Sequence, residues 1–493
     1  MAVESRTYRN FIGGAWVDAS TGETFESLSP ATGEHIGMFP RSAAEDVDRA
    51  VAAAQEAYAS WRLVPAPRRG DIVFRFAALV AEHKQELAEL MSREMGKVLT
   101  EAGGDVQEAV DMSYYMAGEG RRLYGQTTPS ELPDKFNMSV RMPIGVVGVI
   151  TPWNFPIAIP AWKLTPALVC GNTVVLKPAE DTPLLAQRFV DLLHAAGLPE
   201  GVVQVVHGFG EEAGEALVRH PDVPVISFTG SRETGIAVTK AAADRLKHVH
   251  LELGGKNAII VMDDADLDLA VDGICWSAFG TAGQRCTAAS RVIVHRAIYD
   301  ELQKKLVARA ERMIIGAPWE DATDIGPVIN KAAVDKIHSY TEIGKSEGAK
   351  LLTGGETVEG PGFYYRPTVF ADVEPQMRIA QEEIFGPTTA LIPVGSFEDA
   401  VRAANSVEFG LSSSIFTRDV NKAFAAMRDL QTGITYINAG TTGAEVHLPF
   451  GGMKQTGNGH REAGQAALDV FTEWKSIYVD YSGRLQRAQI DNQ

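Results

Sequence analysis

One cysteine of this 493-residue chain lies in a segment whose composition suits chemistry rather than packing. Cys286 stands in "FGTAGQRCTAAS", among small polar residues and directly after Arg285. Cys170 and Cys275 lie in apolar stretches, "PALVCGN" and "GICWSAF", and are predicted to be core residues. Three scattered cysteines without a C-x-x-C pair predict neither a disulfide framework nor a zinc site, so no metal is expected. Cys286 is therefore a candidate nucleophile, and a small residue in a turn is the alternative.

Two other polar side chains are predicted at the ends of strands. Asn154 lies between two prolines in "TPWNFP", directly after the apolar "GVVGVI". Its amide could donate to a developing oxyanion, or it could simply complete a turn. Glu252 is the one acid in the apolar "LELGGKN". A carboxylate there is either paired structurally or kept at a raised pKa for base catalysis.

Two further stretches suit a nucleotide. In "LKPAEDTP", Lys177 and Glu180 follow a strand, where a carboxylate could accept from ribose hydroxyls, although a solvated loop is equally compatible. The stretch "FTGSRETG" opens a helix after a buried strand, and helix N-termini favour pyrophosphate. The residues concerned are Thr229, Gly230, Ser231 and Gly235. Together with the thiol, amide and acid, these parts suit covalent oxidation of a carbonyl by a nicotinamide dinucleotide.

The elements that must position these residues alternate between strands and helices. Apolar strands such as "TVVLKPA", "VVQVVHG" and "VISFTG" are separated by amphipathic helices such as "TPLLAQRFVDLLHAAG". This order predicts an α/β fold with a parallel, doubly wound sheet, whose ligands sit at the carboxyl ends of the strands. A second alternating region begins at "NAIIVM" and ends at "GITYIN", which predicts a second α/β unit.

Composition limits the class of protein. Apolar residues make up 45% and charged residues 22%, as in soluble enzymes. The net charge of −17 disfavours a nucleic-acid partner. The start "MAVESRTYRN" has no signal-peptide pattern, and no stretch resembles a membrane span, so no membrane partner and a cytoplasmic location are expected.

The ordered motifs resemble those of the aldehyde dehydrogenase superfamily. They are "TPWNFP", "LKPAEDTP", "FTGSRETG", "LELGGKN", "GQRCTA", "EEIFGP" and "PFGGMKQTG", which span residues 151–457. The resemblance implies a Rossmann-type NAD-binding domain (1–122 and 143–254), a second α/β catalytic domain (255–455) and a small β oligomerisation arm. The arm comprises residues 123–142 and 470–493 and implies a homodimer or homotetramer.

The resemblance also implies roles for individual residues. Cys286 matches the nucleophile, Glu252 the general base and Asn154 the oxyanion-hole amide. Lys163 and Glu462 match a proton-exit path, although His460 is an additional residue that leaves the register of Glu462 open. The implied cofactor contacts are Thr151, Pro152, Trp153, Lys177, Glu180, Gly210, Thr229, Gly230, Ser231, Gly235, Leu253, Glu383 and Phe385.

For the substrate, the motifs are most similar to semialdehyde dehydrogenases such as the α-aminoadipic and α-ketoglutaric types. In the former, an arginine before the nucleophile pairs with a glutamate of a "VQE" helix, which implies that Arg285 and Glu108 hold a substrate carboxylate. Phe155, Trp162 and Phe450 match the wall of the substrate tunnel.

Glu180 favours NAD over NADP, and Glu252 indicates hydrolytic release of the acid. Two alternatives remain open at this point: a broad-specificity enzyme for neutral aldehydes, with Arg285 and Glu108 as a structural ion pair, and a cysteine esterase or acyltransferase.

Overall fold

The computed structural model describes residues 6–491. Its amino-terminal half contains eleven strands and eight helices. They are β1 (Asn10–Ile12), β2 (Ala15–Val17), β3 (Thr24–Leu28), β4 (His35–Pro40), α1 (Ala44–Trp61), α2 (Ala66–Glu82), α3 (Lys84–Glu94), α4 (Leu99–Glu119), β5 (Gln126–Pro129), β6 (Lys135–Pro143), β7 (Val146–Ile150), α5 (Ala158–Cys170), β8 (Thr173–Lys177), α6 (Pro183–Ala195), β9 (Val203–Val205), α7 (Glu215–Arg219), β10 (Val225–Thr229), α8 (Arg232–Ala243) and β11 (His248–Glu252).

The remaining elements follow from residue 258. They are β12 (Ala258–Val261), α9 (Leu267–Phe279), β13 (Arg291–His295), α10 (Tyr299–Ala310), α11 (Lys331–Ser346), β14 (Lys350–Thr353), β15 (Thr368–Ala371), α12 (Arg378–Gln381), β16 (Thr388–Val394), α13 (Phe397–Asn405), β17 (Phe409–Gly410), β18 (Ser412–Phe416), α14 (Val420–Asp429), β19 (Ile434–Ile437), β20 (Met453–Lys454), α15 (Ala467–Val470) and β21 (Thr472–Asp480).

Two seven-stranded sheets carry the fold. The first has the order β11-β10-β7-β8-β9-β1-β2, in which β7 to β11 are parallel and β1 pairs antiparallel with β9 and β2. The second has the order β14-β15-β16-β13-β12-β18-β19 and is parallel except for β14. Strands β7, β8 and β12 are buried throughout, as expected where helices cover both faces of a parallel sheet. The predicted α/β class is confirmed.

A third sheet joins two segments that are far apart in sequence. Strand β21 pairs with β6 over nine residues, from Thr472 opposite Pro143 to Asp480 opposite Lys135, and β5 lies on the other side of β6. Trp474 and Tyr478 on β21 are exposed. The segments 123–142 and 470–493, which were predicted to form an arm, contribute these strands. Within residues 6–491, none of the helices combines the length and apolar character that a bilayer crossing requires.

The elements differ from the sequence-based expectation in three places. The apolar spacing of residues 68–97 is typical of one continuous helix, but the helix is interrupted at His83, whose φ of −93° and ψ of 13° end α2 and begin α3. The stretch "EEAGEALVRH" also has a helical pattern, but a π-helical turn, Gly210–Gly214, precedes α7 there. The hairpins β1–β2 and β3–β4 were not predicted, because strands of three to six residues show too little alternation.

Candidate active site

A tight turn presents Cys286 after helix α9. The turn Gly280–Gly283 contains Thr281 and Ala282, both at φ +52°, and Gly283 at φ +69°. A Cβ on Gly283 would lie 2.1 Å from the carbonyl oxygen of Gly386, so only glycine fits there. Left-handed backbone at three successive positions is costly and is characteristic of functional sites. The half-buried Cys286 emerges from this constrained turn.

Cys286 forms part of the wall between two cavities. One cavity, of about 290 Å³, is lined by Phe155, Trp162 and Phe450. The other, a cleft of about 350 Å³, lies on the opposite side and is lined by Trp153 and Asn154, among others. Cys286, Thr229 and Leu253 line both. A group bound in either cavity would therefore have access to the same thiol.

The environment of Cys286 disfavours its thiolate in the absence of ligands. Burial, followed by the negative charges of Glu383, Glu252 and Glu108, raises the pKa of the thiol to about 12. A backbone hydrogen bond at Thr287 acts in the opposite direction. Attack by Cys286 therefore requires a base that removes its proton or a positive charge nearby.

Asn154 lies beside the loop that carries the cysteine. Its side chain is buried, and its Nδ2 donates to the carbonyl oxygen of Gln284 at 3.1 Å. One amide N–H accounts for that bond, so the second remains for a developing oxyanion. The other side of the loop is fixed by Asn257, whose Nδ2 donates to the carbonyl oxygens of Cys286 at 2.7 Å and Ala288 at 2.9 Å. Sequence reasoning missed Asn257, although it lies in the "LELGGKN" motif.

Glu252 is buried at the end of β11, and it also lines the smaller cavity. Neither of its carboxylate oxygens has a hydrogen-bond partner among the described residues. Burial and the neighbouring Glu462 raise its pKa well above the usual range, against the opposing charges of Lys163 and Arg461. A carboxylate with a raised pKa is a stronger base than an exposed one, and that is the property base catalysis requires.

Lys163 and Glu462 form a buried ion pair behind Glu252. The Lys163 ammonium bonds to Oε1 of Glu462 and donates to Oγ of Ser227 at 3.0 Å. Glu462 also lines the smaller cavity. The structure therefore brings Lys163 and Glu462 together, although the extra His460 had left the register of Glu462 open.

Eight of the predicted cofactor residues line the larger cleft. They are Pro152, Trp153, Thr229, Gly230, Ser231, Leu253, Glu383 and Phe385. The Oγ of Ser231 caps α8 by accepting from the Thr234 N–H at 3.2 Å, and the Trp153 and Phe385 rings meet edge to face at 5.5 Å. Oε1 of Glu383 accepts from the Gly255 N–H at 2.9 Å.

The other five predicted cofactor residues lie outside the lining of this cleft. Nζ of Lys177 donates to Glu180 at 2.8 Å, and the Thr151 N–H donates to the carbonyl oxygen of Lys177 at 3.3 Å. Gly210 opens onto free space, whereas Gly235 packs against Leu253, where a Cβ would be 2.6 Å from Cδ2. Three of the five lie at or after the ends of β7 and β8, Gly210 begins the π-helical turn before α7, and Gly235 lies within α8, so none of them belongs to the cleft lining.

The larger cleft suits a nicotinamide dinucleotide. Oγ1 of Thr229 is buried without a partner among the described residues, which leaves a donor and acceptor at the cleft wall. Ser231 caps α8 at the same wall, where helix N–H groups and the dipole favour a phosphate. Glu383 and Phe385 complete the lining with a carboxylate and an aromatic ring.

One part of the wall of the smaller cavity is aromatic. The Trp162 and Phe450 rings meet edge to face at 5.1 Å, and Nζ of Lys97 lies 3.7 Å from the centre of the Phe155 ring. Lys97 is itself paired with Asp105 at 2.7 Å, so its charge is compensated. The wall therefore combines this aromatic surface with several acidic side chains that also line the cavity.

The predicted pairing of Arg285 with Glu108 is wrong. The guanidinium of Arg285 pairs instead with Glu101, with Nη2 at 3.3 Å from Oε2, and Nε donates to Oγ1 of Thr281 at 2.9 Å. Its central carbon lies 4.6 Å from the centre of the Trp276 ring. Glu101 and Glu108 are seven residues apart, which is two turns of α4, so both face the cavity. The sequence spacing therefore does not show which of the two carboxylates pairs with Arg285.

Glu101 connects Arg285 to the turn before the cysteine. Its Oε2 accepts from the Thr281 N–H at 2.7 Å and from the Thr281 hydroxyl at 2.6 Å. The same carboxylate therefore fixes both Thr281, whose φ is positive, and the guanidinium of Arg285. Sequence reasoning missed Glu101 and Trp276, which have no motif of their own.

Glu108 has no ion-pair partner within residues 6–491. Burial and the charge of Asp105 raise the pKa of its carboxyl to about 8, while Lys97 and Arg285 act in the opposite direction. At neutral pH this carboxyl is mostly protonated. It therefore presents a neutral hydrogen-bond donor to the cavity.

Comparison with known proteins gives consistent matches over nearly the whole chain. Residues 16–477 match the model of the aldehyde dehydrogenase family. The chain is 44% identical to the α-ketoglutaric semialdehyde dehydrogenase of Bacillus subtilis, covering 97% of this chain and 99% of that protein. It is 42% identical to the α-ketoglutarate semialdehyde dehydrogenase of Haloferax volcanii, covering 96% and 99%. Betaine aldehyde dehydrogenase from Staphylococcus aureus, solved in complex with NAD+, superposes with a TM-score of 0.95 at 34% identity, covering 97% and 95%.

Proposed function

The chain belongs to the aldehyde dehydrogenase family and oxidises an aldehyde to its carboxylic acid with a nicotinamide dinucleotide; on that premise, we propose that its substrate is a semialdehyde with a distal carboxylate. One observation carries this proposal. Arg285, 8% exposed, lines the substrate cavity one residue before Cys286, and Glu101, Thr281 and Trp276 fix its guanidinium. Its Nη1 has no hydrogen-bond partner among the described residues, so it is available to a carboxylate.

The protonation state of Glu108 supports the same substrate class. A protonated carboxyl does not repel an anion and can donate a hydrogen bond to it. With Lys97 paired to Asp105 and Glu108 neutral, Arg285 carries the only positive charge among the described residues that line this cavity. The names of two relatives, both α-ketoglutarate-type semialdehyde dehydrogenases, agree with this choice.

In the first half of the reaction, the thiol attacks the aldehyde. Glu252, with its raised pKa, takes the proton of Cys286, and the thiolate adds to the carbonyl carbon to give a thiohemiacetal. The second N–H of Asn154 and the backbone N–H of Cys286 donate to the oxyanion, and each such donor typically lowers the barrier by about 3 kcal/mol. The dinucleotide, when bound, accepts the hydride that the thiohemiacetal loses.

In the second half, water releases the acid. Glu252 must first lose its proton to the Lys163–Glu462 pair, and it then activates water for attack on the Cys286 thioester. The C–S bond breaks, the second proton of the water returns Cys286 to the thiol, and the product leaves as a carboxylate. Glu252 therefore acts twice in each turnover, and it must be deprotonated in between.

The proposed cofactor is NAD rather than NADP. Glu180, paired with Lys177 at the end of β8, supports this preference, because a carboxylate that accepts from ribose hydroxyls would repel a 2′-phosphate. A Glu180→Ala variant should gain NADP turnover relative to NAD, as measured by the ratio of the two kcat/KM values. Equal preference in the wild-type enzyme would contradict this assignment.

A neutral aldehyde is the second candidate. The aromatic walls formed by Phe155, Trp162 and Phe450 fit an apolar chain, and pairing with Glu101 offsets the charge of Arg285. A cysteine esterase or acyltransferase, by contrast, would need no cleft with Glu383 and Phe385 opposite Cys286. Formation of NADH from an aldehyde separates that class from both dehydrogenase candidates.

The substrate proposal is tested with a panel of ω-semialdehydes and neutral aldehydes of equal length. Arg285→Ala should raise KM for the carboxylated members at least tenfold, since a charge-assisted hydrogen bond is lost, and leave the neutral members nearly unchanged. The matched control is Arg296→Ala, because Arg296 lies in the 3₁₀ turn Arg296–Ile298 after β13 and lines neither cavity. A uniform loss across the panel would refute the carboxylate role and favour the neutral-aldehyde candidate.

The proposal extends to the organisation of the chain. It assigns cofactor binding to residues 1–122 and 143–254 and catalysis to residues 255–455, supported by the two sheets and the cleft between their strand ends. The exposed aromatic residues of β21 support a homodimer or homotetramer formed through the third sheet, which light scattering tests. A cytoplasmic location is part of the same proposal and is tested by cell fractionation.

A further inference from the structure

A buried histidine lies beside the Lys163–Glu462 pair, and the mechanism above gives it no role. His250 is 2% exposed, and its Nδ1 lies 3.7 Å from Oε1 of Glu462, too far for a direct hydrogen bond. Neither ring nitrogen has a hydrogen-bond partner among the described residues. A buried imidazole without partners costs free energy, so its place beside an ion pair calls for an explanation.

The strand geometry puts His250 on the same polar face as the general base. His250 and Glu252 are two residues apart on β11, and side chains at that spacing point to one side of a sheet. On β10, the register partner of His250 is Ser227, which accepts from Lys163. The unpartnered carboxylate of Glu252, the ion pair and the unpartnered imidazole therefore form one cluster.

A second histidine leads from this cluster to solvent. The ring of His460 lies 5.0 Å from that of His250, centre to centre, and His460 is exposed. A single imidazole therefore separates the buried Glu462 from a side chain in contact with water. His460 is also the residue that interrupts the family-like pattern in "TGNGHREAG".

The charges around His250 keep it neutral. Burial, and then Lys163, His460 and Arg461, place its pKa well below the ordinary value. Among the described residues, Glu462 is the one carboxylate with an oxygen within 4 Å of a ring nitrogen of His250. Burial and His248 lower the pKa of His460 as well, against Asp469. A neutral imidazole has one N–H donor and one acceptor nitrogen, so it can take a proton at one nitrogen while it gives one up at the other.

We propose that His250 and His460 carry to solvent the proton that Glu252 collects. This inference rests on the proposed function, because it concerns the hydrolysis of the Cys286 thioester. For each acid released, Glu252 collects two protons in turn, one from Cys286 and one from the attacking water. Each of them passes to the Lys163–Glu462 pair and leaves through the two imidazoles. No redox partner is involved, since the hydride has already left. The route matters most when an acyl chain fills the substrate cavity and shuts off water on that side.

The test measures deacylation directly. Enzyme with bound NAD is mixed with aldehyde, quenched at intervals, and the acylated chain is followed by intact mass while the NADH burst is followed by absorbance. His250→Asn, which can hydrogen-bond but cannot relay a proton, and His250→Phe, which keeps the volume, should both slow deacylation about tenfold or more. The burst rate should be unchanged, because Glu252 can hold the first proton. His35→Asn, on β4 and paired with Glu26 at 3.6 Å, is the control and should behave as wild type, since His35 is not among the charges that act on His250 or His460.

If the variants of the buried His250 fail to fold, a variant of the exposed His460 still tests the relay. His460→Ala should slow deacylation, and added imidazole should restore the rate, a rescue that a purely structural role would not show. Unchanged deacylation in the His250 variants, a parallel fall of burst and deacylation, or an unrescued His460→Ala would each overturn the relay. Absence of NADH formation by the wild-type enzyme with every aldehyde of the panel would instead refute the proposed function.

Discussion

The reactivity of Cys286 toward disulfides depends on the burial and the carboxylates that surround it. A free thiol titrates near 9.0, and burial with Glu383, Glu252 and Glu108 raises the pKa of Cys286 to about 12. At neutral pH the fraction of Cys286 present as thiolate is therefore about a thousandth of that of a free cysteine. A more basic thiolate is intrinsically more nucleophilic. With a Brønsted coefficient of about 0.45, the difference in pKa between Cys286 and a free thiol makes the Cys286 thiolate roughly 20-fold more nucleophilic. We therefore expect the ligand-free enzyme to react about 50-fold more slowly than free cysteine.

The assay is the reaction with 4,4′-dithiodipyridine at pH 7.5, followed by absorbance, with the modified residue identified by mass. Glu383→Gln removes the largest charge that opposes the thiolate and should speed the reaction several-fold. Glu382→Gln is the matched control, because Glu382 bonds to Arg378 and Tyr340 away from the thiol. Reaction of Cys286 at the rate of free cysteine, or an equal response to both variants, would refute the reasoning.

Three other predictions follow from the same geometry. Gly283→Ala should lower the free energy of unfolding by about 2 kcal/mol or more in urea titrations, because φ is +69° and a carbonyl oxygen would lie 2.1 Å from the new Cβ. Gly459→Ala is the comparison: φ is +97° but the space around it is open, so it should lower the free energy of unfolding by about 1 kcal/mol. Lys163→Met should lower the free energy of unfolding by about 3–5 kcal/mol, because it leaves Glu462 buried and unpaired. Adding Glu462→Gln to that variant should recover part of the lost stability, and additive losses would contradict a coupled pair. Because the Glu108 carboxyl ionises near pH 8 and then repels an anion, KM for a carboxylated aldehyde should rise above that pH, and Glu108→Gln should abolish the rise.

Much of the site was predictable because its residues lie at the ends of parallel strands. Asn154 follows β7 and Glu252 ends β11, and the carboxyl ends of strands in one parallel sheet meet at one edge. The predicted α/β architecture is confirmed for the same reason, since alternating apolar strands and amphipathic helices leave few other arrangements. Cys286 lies outside the strands, yet the small residues before it mark the turn that presents it.

Contacts between residues distant in sequence were harder to predict. Glu101 and Glu108 stand on one face of α4, and only the depth at which Arg285 enters the cavity decides that Glu101 is its partner. Asn257 holds the carbonyl of Cys286 across a gap of 29 residues. The pairing of β21 with β6 joins segments more than 300 residues apart, and an alternating pattern names no partner strand.

The amino-acid sequence by itself determined the type of fold and marked Cys286, Glu252 and Asn154 as candidates for the nucleophile, base and oxyanion amide, because these inferences depend on local periodicity and on residue types within short motifs. Only the tertiary structure decided which charges are paired, which pKa values are shifted and which buried groups lack partners. Those properties arise from desolvation and from distances of a few ångströms between chain segments, and such distances are set by packing rather than by position along the chain.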